Sequence, residues 1–173
     1  MPPKEPAYNI DWIWSFDSNV HVANNREWFT TFTPFESKIS STHNDLTHLV
    51  EGVGDVELEV RKIVGDTKRA TGPKNSKIVL RDVLLVPSFV CNVMGNPVRE
   101  DYDVSIGAER WLCDNKTGKG LGMLDKNPLG MTKVLLKGQA KGTTGLPKDM
   151  DYKLNTVWAE EEKKKWMEEK KKT

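Results

Sequence analysis

Cysteine is scarce: Cys91 and Cys113 are the only two in 173 residues. Two thiols make no disulfide framework and fit no metal-ligand spacing, so a reducing intracellular compartment, cytoplasmic or nuclear, is expected. Long apolar runs are missing as well. None approaches the roughly 18 residues that span a bilayer, and Met1-Pro2-Pro3-Lys4-Glu5-Pro6 lacks the apolar stretch of a secretory signal. No membrane partner is expected. Neither charge sign prevails, since 26 Lys plus Arg stand against 25 Asp plus Glu, a net of +1. That balance argues against a dedicated nucleic-acid binder, which carries a basic excess, and against an acidic disordered chain. His43 and His48 flank Asp45, but a metal site needs three or four converging ligands and the rest of the chain supplies none. Solvated loop histidines are the simpler reading, and no metal or cofactor is expected.

What the chain does have is tryptophan, six in all, and a series of short β-like segments. Residues 1–10 are proline-rich and read as a flexible lead-in. From Asp11 to Phe35 aromatic and β-branched residues dominate. In Asp55-Val56-Glu57-Leu58-Glu59-Val60 apolar and acidic residues alternate, the mark of a half-buried strand. Gly52 and Gly54 before it suggest a bulge or tight bend. Lys77 to Pro87 is the most apolar run, short, β-branched and ended by proline, so it reads as a buried strand. Trp111–Asp114, a turn through Asn115–Gly120, and Leu121–Leu124 read as strand, turn, strand. Gly118-Lys119-Gly120 lacks the strand-to-helix context of a phosphate loop, so a hairpin turn is the simpler account. Thr132–Leu136 reads as a further strand.

Residues 139–155 look like a linker. From Thr156 to Lys172 there is neither Gly nor Pro, and Glu160, Glu161 and Glu168 precede Lys164, Lys165 and Lys172 by four, the favourable helical order. A charged helix over 156–173 is expected, with Thr156 as its cap and Trp158 and Trp166 on one face. Its lysine clusters would also suit a partner-binding or nuclear-targeting tail, although the interleaved glutamates weaken that. The sum is an all-β barrel or sandwich over 11–138, followed by a linker and a C-terminal helix.

The segment Trp12-Ile13-Trp14-Ser15-Phe16-Asp17-Ser18-Asn19-Val20-His21-Val22 holds the candidate chemistry. A carboxylate leaving a dry strand end is suited to acid or base work, because drying favours its protonated form. Asp17 is that carboxylate, with Ser18 and Asn19 placed to hold it. An ordinary Asp-Ser-Asn turn explains the same residues.

Four blocks give this chain a family resemblance. Trp12 with Ser18–Phe29 is similar to an active-site strand and its His-hydrophobic-x-Asn continuation. Val50–Leu58 is similar to a Gly-x-Gly strand. Leu80–Gly95 is similar to a Val-Leu-x-Val-Pro…Asn-Leu block, and Asp114–Gly122 to a late hairpin. Together they resemble the protease region of copia-type retrotransposon polyproteins, a retropepsin-like (acid-protease-like) β-barrel. The ending Trp158…Trp166 looks like a stand-alone fungal branch of that family. The resemblance implies a homodimer in which two Asp-Ser/Thr-Gly units meet and share a proton.

The triplet itself is altered here. Aligned without a gap on Trp12 and His21, it falls on Ser15-Phe16-Asp17, so serine stands at the aspartate position. Aligned on Trp14, it falls on Asp17-Ser18-Asn19, two residues short before His21. The gap-free register is preferred. Peptidase chemistry is lost in the first and altered in the second, so standard aspartic peptidase activity is not expected.

The leading expectation is a domesticated, non-proteolytic domain. It would bind a protein, a peptide or a small molecule in the former cleft, lined by Trp14, Ser15, Phe16, Ser18, Asn19 and Trp28. The alternative is a residual enzyme in which Asp17 is a lone acid or base, assisted by His21 or Asn19, in proton transfer, isomerisation or cyclisation. A simply structural His21, bonded to backbone, competes with that role.

Overall fold

The computed structural model describes residues 2–41, 46–62, 75–106, 110–150, 152 and 154–172. Among them eleven strands form one sheet. They are β1 (Trp12–Ser15), β2 (His21–Ala23), β3 (Thr33–Ser41), β4 (Thr47–Arg61), β5 (Asn75–Leu85), β6 (Asn92–Gly95), β7 (Tyr102–Ile106), β8 (Arg110–Asp114), β9 (Gly120–Lys126), β10 (Thr132–Val134) and β11 (Thr156–Val157). One helix, α1 (Glu160–Lys171), follows. The strand order is β11-β3-β4-β5-β2-β6-β1-β10-β9-β8-β7. Neighbours are antiparallel except for β1 with β6 and β2 with β5, which run parallel. The chain is therefore all-β with a single C-terminal helix.

Strands β4 and β5 form the longest ladder, from Gly52↔Leu85 to Arg61↔Asn75. Their alternation explains the pairing. Val56, Leu58 and Val60 point inward with Ile78 and Leu80, while Glu57, Glu59 and Lys77 face water. The register shifts between Gly54 and Val56, the bulge the two glycines suggest. Closeness of backbone, rather than a turn, requires Gly54: a Cβ there would lie 1.9 Å from the Thr31 carbonyl oxygen. The sheet curls onto itself where Val60 bridges Leu136 and where Gly122 leaves room for the Val60 side chain. The β8–β9 hairpin forms as expected. The Asp114 Oδ1 accepts from the amides of Lys116 and Thr117, and Gly118 takes φ +71°.

Curling leaves two apolar faces. The inner one gathers Trp12, Trp28, Val56, Leu58, Ile78, Leu80 and Leu112. The outer one holds Ile13, Val22, Val53, Leu84 and Val93, and is covered by Leu146, Leu154, Trp158 and Trp166 from the end of the chain. Successive residues of β1, Trp12 and Ile13, thus serve different cores. Buried tryptophans withdraw roughly 150–250 Å² each from water, which is how a chain this short closes two cores.

Three expectations need correction. The lead-in is anchored at its end, not free: Tyr8 stacks on Trp28 with ring centres 5.7 Å apart, and its hydroxyl donates to the Lys137 carbonyl. The 139–155 stretch is not a free spacer, because Leu146 and Leu154 are buried in the outer core. Finally, Thr156 caps no helix. It lies in β11 opposite Ser41, and α1 begins at Glu160 after Ala159. Trp158 therefore precedes the helix, and Trp166 alone represents α1 in the core. Ser37 organises this docking: its Oγ accepts from Trp158 Nε1 at 2.9 Å and donates to Glu162 Oε2 at 2.9 Å. That hydrogen bond holds the Glu162 carboxyl below the usual range.

Candidate functional site

β1 ends at Ser15, and the chain turns through Phe16 and Asp17, with the Ser18 amide donating to the Ser15 carbonyl at 3.3 Å. The turn then feeds β2. Six hydrogen bonds join residues 15–19 to residues 154–158. Ser18 Oγ donates to the Leu154 carbonyl and accepts from the Thr156 amide, each at 3.0 Å. Ser15 Oγ lies 2.7 Å from Ser18 Oγ and 3.1 Å from Asn155 Oδ1. A hydroxyl has one proton; with that of Ser18 on Leu154, that of Ser15 serves one of these two acceptors at a time. The Asn19 amide donates to Thr156 O, and its side chain exchanges two bonds with the Trp158 backbone. Ser18 and Asn19 therefore hold the chain's own C-terminal segment, not Asp17.

Asp17 itself points to solvent, as does Phe16, which is 57% exposed. The Asp17 carboxylate takes no hydrogen bond from any described residue. A proton-sharing pair needs its second carboxylate within such a distance.

His21 is 2% exposed and belongs to the barrel wall. Its Nδ1 accepts from the Gly95 amide at 2.9 Å. Burial pushes the imidazole down to about 4, with the charge of Asp82, not of Asp17, pulling the other way. Neutral His21 thus serves Gly95, as its structural alternative required. Gly95 is bound to this place: a Cβ there would lie 2.4 Å from the Val20 carbonyl oxygen. Trp28 lies in the inner core, edge-on to Trp12, and borders a separate pocket with Tyr8 and Leu136, not a space shared with Trp14 and Phe16. Ser18 is likewise fully buried.

What the structure does bring together is an open groove of about 430 Å³ beside the turn. Trp14, Ser15 and Phe16 form one wall; Met131, Tyr152 and Leu154 form the other. Trp14 and Phe16 meet edge to face, with centres 6.4 Å apart. Met131, Tyr152 and Leu154 escaped the sequence reading because nothing local ties residues 131–154 to residue 14.

The same reading also missed Asp11. Its carboxylate is fully buried and accepts from Lys133 Nζ (3.1 Å), Asn127 Nδ2 (3.1 Å) and Thr144 Oγ1 (2.6 Å). This cluster ties β1 to the segments after β9 and β10. Its every charge is paired, which fits a structural fastening. Cys91 is buried nearby, its thiol pushed up by burial and then by Asp11. Both cysteines are free.

His48 donates to or accepts from Ser88 Oγ at 2.9 Å and packs on Phe89. Its proposed companions His43 and Asp45 lie outside the described residues. No described helix is long and apolar enough to cross a membrane.

Part of the chain is similar to a known family. Residues 12–97 match the family of the Pol polyprotein, beta-barrel domain. The match runs from the first residue of β1 past the end of β6, and takes in the turn, His21, the β4–β5 ladder and Gly95. It supports a domain derived from a retrotransposon polyprotein. No curated protein and no solved structure matches the chain.

Proposed function

We propose that this chain is a retropepsin-like barrel of copia-type, fungal descent that works inside the cell as a binding module without proteolysis. It would take a short peptide segment of a protein partner into the groove between Trp14–Phe16 and Met131–Leu154. The observation that carries this reading is the occupation of the turn. Residues 154–158 bond Ser15, Ser18 and Asn19, so the groups that would orient a catalytic carboxylate are already used. Asp17 stays exposed without a second carboxylate in hydrogen-bond range. The groove beside it keeps aromatic walls and a few polar atoms, on Ser15 and Asn155, the make-up of a recognition site. A second copy of the chain is not needed for this role.

The test has two arms. Wild type and Asp17→Asn are incubated with a diverse peptide library from about pH 3 to about pH 7, the range in which carboxylate pairs work, and products are read by mass spectrometry. No cleavage by either is expected. Cleavage by wild type alone would replace this reading with the residual-enzyme alternative. In the second arm the immobilised library is probed for retention, which is expected to fall on Phe16→Ala. Phe16 is exposed, so that change leaves the barrel intact.

A further inference from the structure

A second, smaller cavity of about 210 Å³ lies under α1 on the other side of Asn19. Its apolar side is Val20, Val79, Val98, Trp158, Trp166 and Met167, and Asn19, Arg81, Asp82, Glu100, Asp101 and Lys163 line the rest. His21 lines it too. With Nδ1 accepting from the Gly95 amide, the neutral ring carries its proton on Nε2. Among the described residues nothing accepts that proton, and the residue is 2% exposed. The donor borders the cavity, where a ligand oxygen could accept from it. The charges at the rim are largely committed to one another. Arg81 pairs with Asp101 at 2.7 Å, and Asp82 with Lys170 at 2.9 Å.

We infer that this cavity is a binding site for a small uncharged aromatic molecule with one carbonyl oxygen, which accepts from His21 Nε2–H while its ring packs between Trp158 and Trp166. The volume is below the roughly 300–1,000 Å³ of drug-sized sites, so a single ring is the fitting size. Balanced rim charges favour an uncharged ligand over an anion. The site is separate from the Trp14–Phe16 groove, and stands or falls apart from it.

Three probes test this on the full chain by NMR: acetophenone, ethylbenzene, which has the same shape without the carbonyl, and benzoate. Acetophenone is expected to shift the His21 imidazole signals and the Trp158 and Trp166 indole signals along one saturable curve. Ethylbenzene should bind about tenfold more weakly, the value of one hydrogen bond to a buried donor. Met167→Trp should abolish the shifts; residue 167 is 47% exposed, so the change fills the mouth without disturbing the core. His21→Leu removes the donor and should erase the difference between acetophenone and ethylbenzene. Equal binding of those two by wild type would overturn the assignment, as would stronger binding of benzoate. So would unchanged binding in Met167→Trp, or shifts that never saturate.

Discussion

Asn19 and Trp158 are joined as two strands would be, through one side chain: Asn19 Nδ2 donates to the Trp158 carbonyl at 2.9 Å, and the Trp158 amide donates to Asn19 Oδ1 at 2.8 Å. An amide side chain reproduces the donor–acceptor pair of a peptide unit, so the end of the chain is fastened beyond the short β11. Asn19→Ala removes both bonds and leaves two backbone groups partly buried without partners. A loss of about 1–3 kcal/mol is expected in urea denaturation. Asn19→Asp keeps the acceptor and should lose less. Amide exchange at Trp158 should rise in both variants before that of β4 and β5 does.

Gly54 tests the closeness of the bulge. Gly54→Ala would stiffen the unfolded chain, a stabilising effect of about 0.4–1 kcal/mol wherever the site has room. Here the new methyl group would meet the Thr31 backbone at 1.9 Å, and backbone yields poorly. Net destabilisation of at least about 1–3 kcal/mol is expected in thermal or urea unfolding. A neutral or stabilised variant would refute the close approach of residue 31.

These two sites also mark what the sequence makes legible. Alternation in Val56, Leu58 and Val60 announces β4, because one face is buried and the other wet. The apolar run to Pro87 announces β5, and the Asp114–Gly120 turn announces its hairpin, because these signals are local. β11 is not legible: two residues become a strand only because Ser41 and Ser18 are waiting for Thr156. A threonine before a charged helix looks the same whether it caps the helix or pairs with a distant strand. The same holds for the site. Asp17, Ser18 and Asn19 stand out as polar residues after an apolar strand, yet the partners of Ser18 and Asn19 lie 136 and 139 positions away in the chain. Trp28 illustrates the converse, since an aromatic near a candidate loop reads as cleft lining until its stacking on Tyr8 places it in the core.

Asp11 and Lys133 give a prediction about a buried ion pair. Their side chains are 0% and 2% exposed, so neither charge has water to fall back on. Lys133→Met strands the Asp11 carboxylate, and Asp11→Leu strands the ammonium. Each is expected to cost about 3–5 kcal/mol in denaturant unfolding. The double variant removes both charges and should cost markedly less than the two single losses combined. Additive losses would show that the pair is not coupled.

His21 predicts how stability depends on pH. Its folded-state value, pushed down to about 4, lies below the ordinary 6.5 of an unfolded histidine. As pH falls through 6.5 the unfolded chain binds a proton that the folded chain refuses. The contribution of a neutral His21 is therefore complete above that value. It declines as pH drops and is exhausted once pH passes below the folded value. The gap corresponds to roughly 3 kcal/mol between pH 7 and pH 4. Urea unfolding at several pH values across this window should show the decline in wild type. His21→Gln offers an acceptor for the Gly95 amide and cannot titrate, so its stability should change by about 3 kcal/mol less over the same window. Parallel curves for the two proteins would mean that His21 is protonated as readily in the barrel as in the open chain, and the assignment of Nδ1 as the acceptor for Gly95 would have to be abandoned.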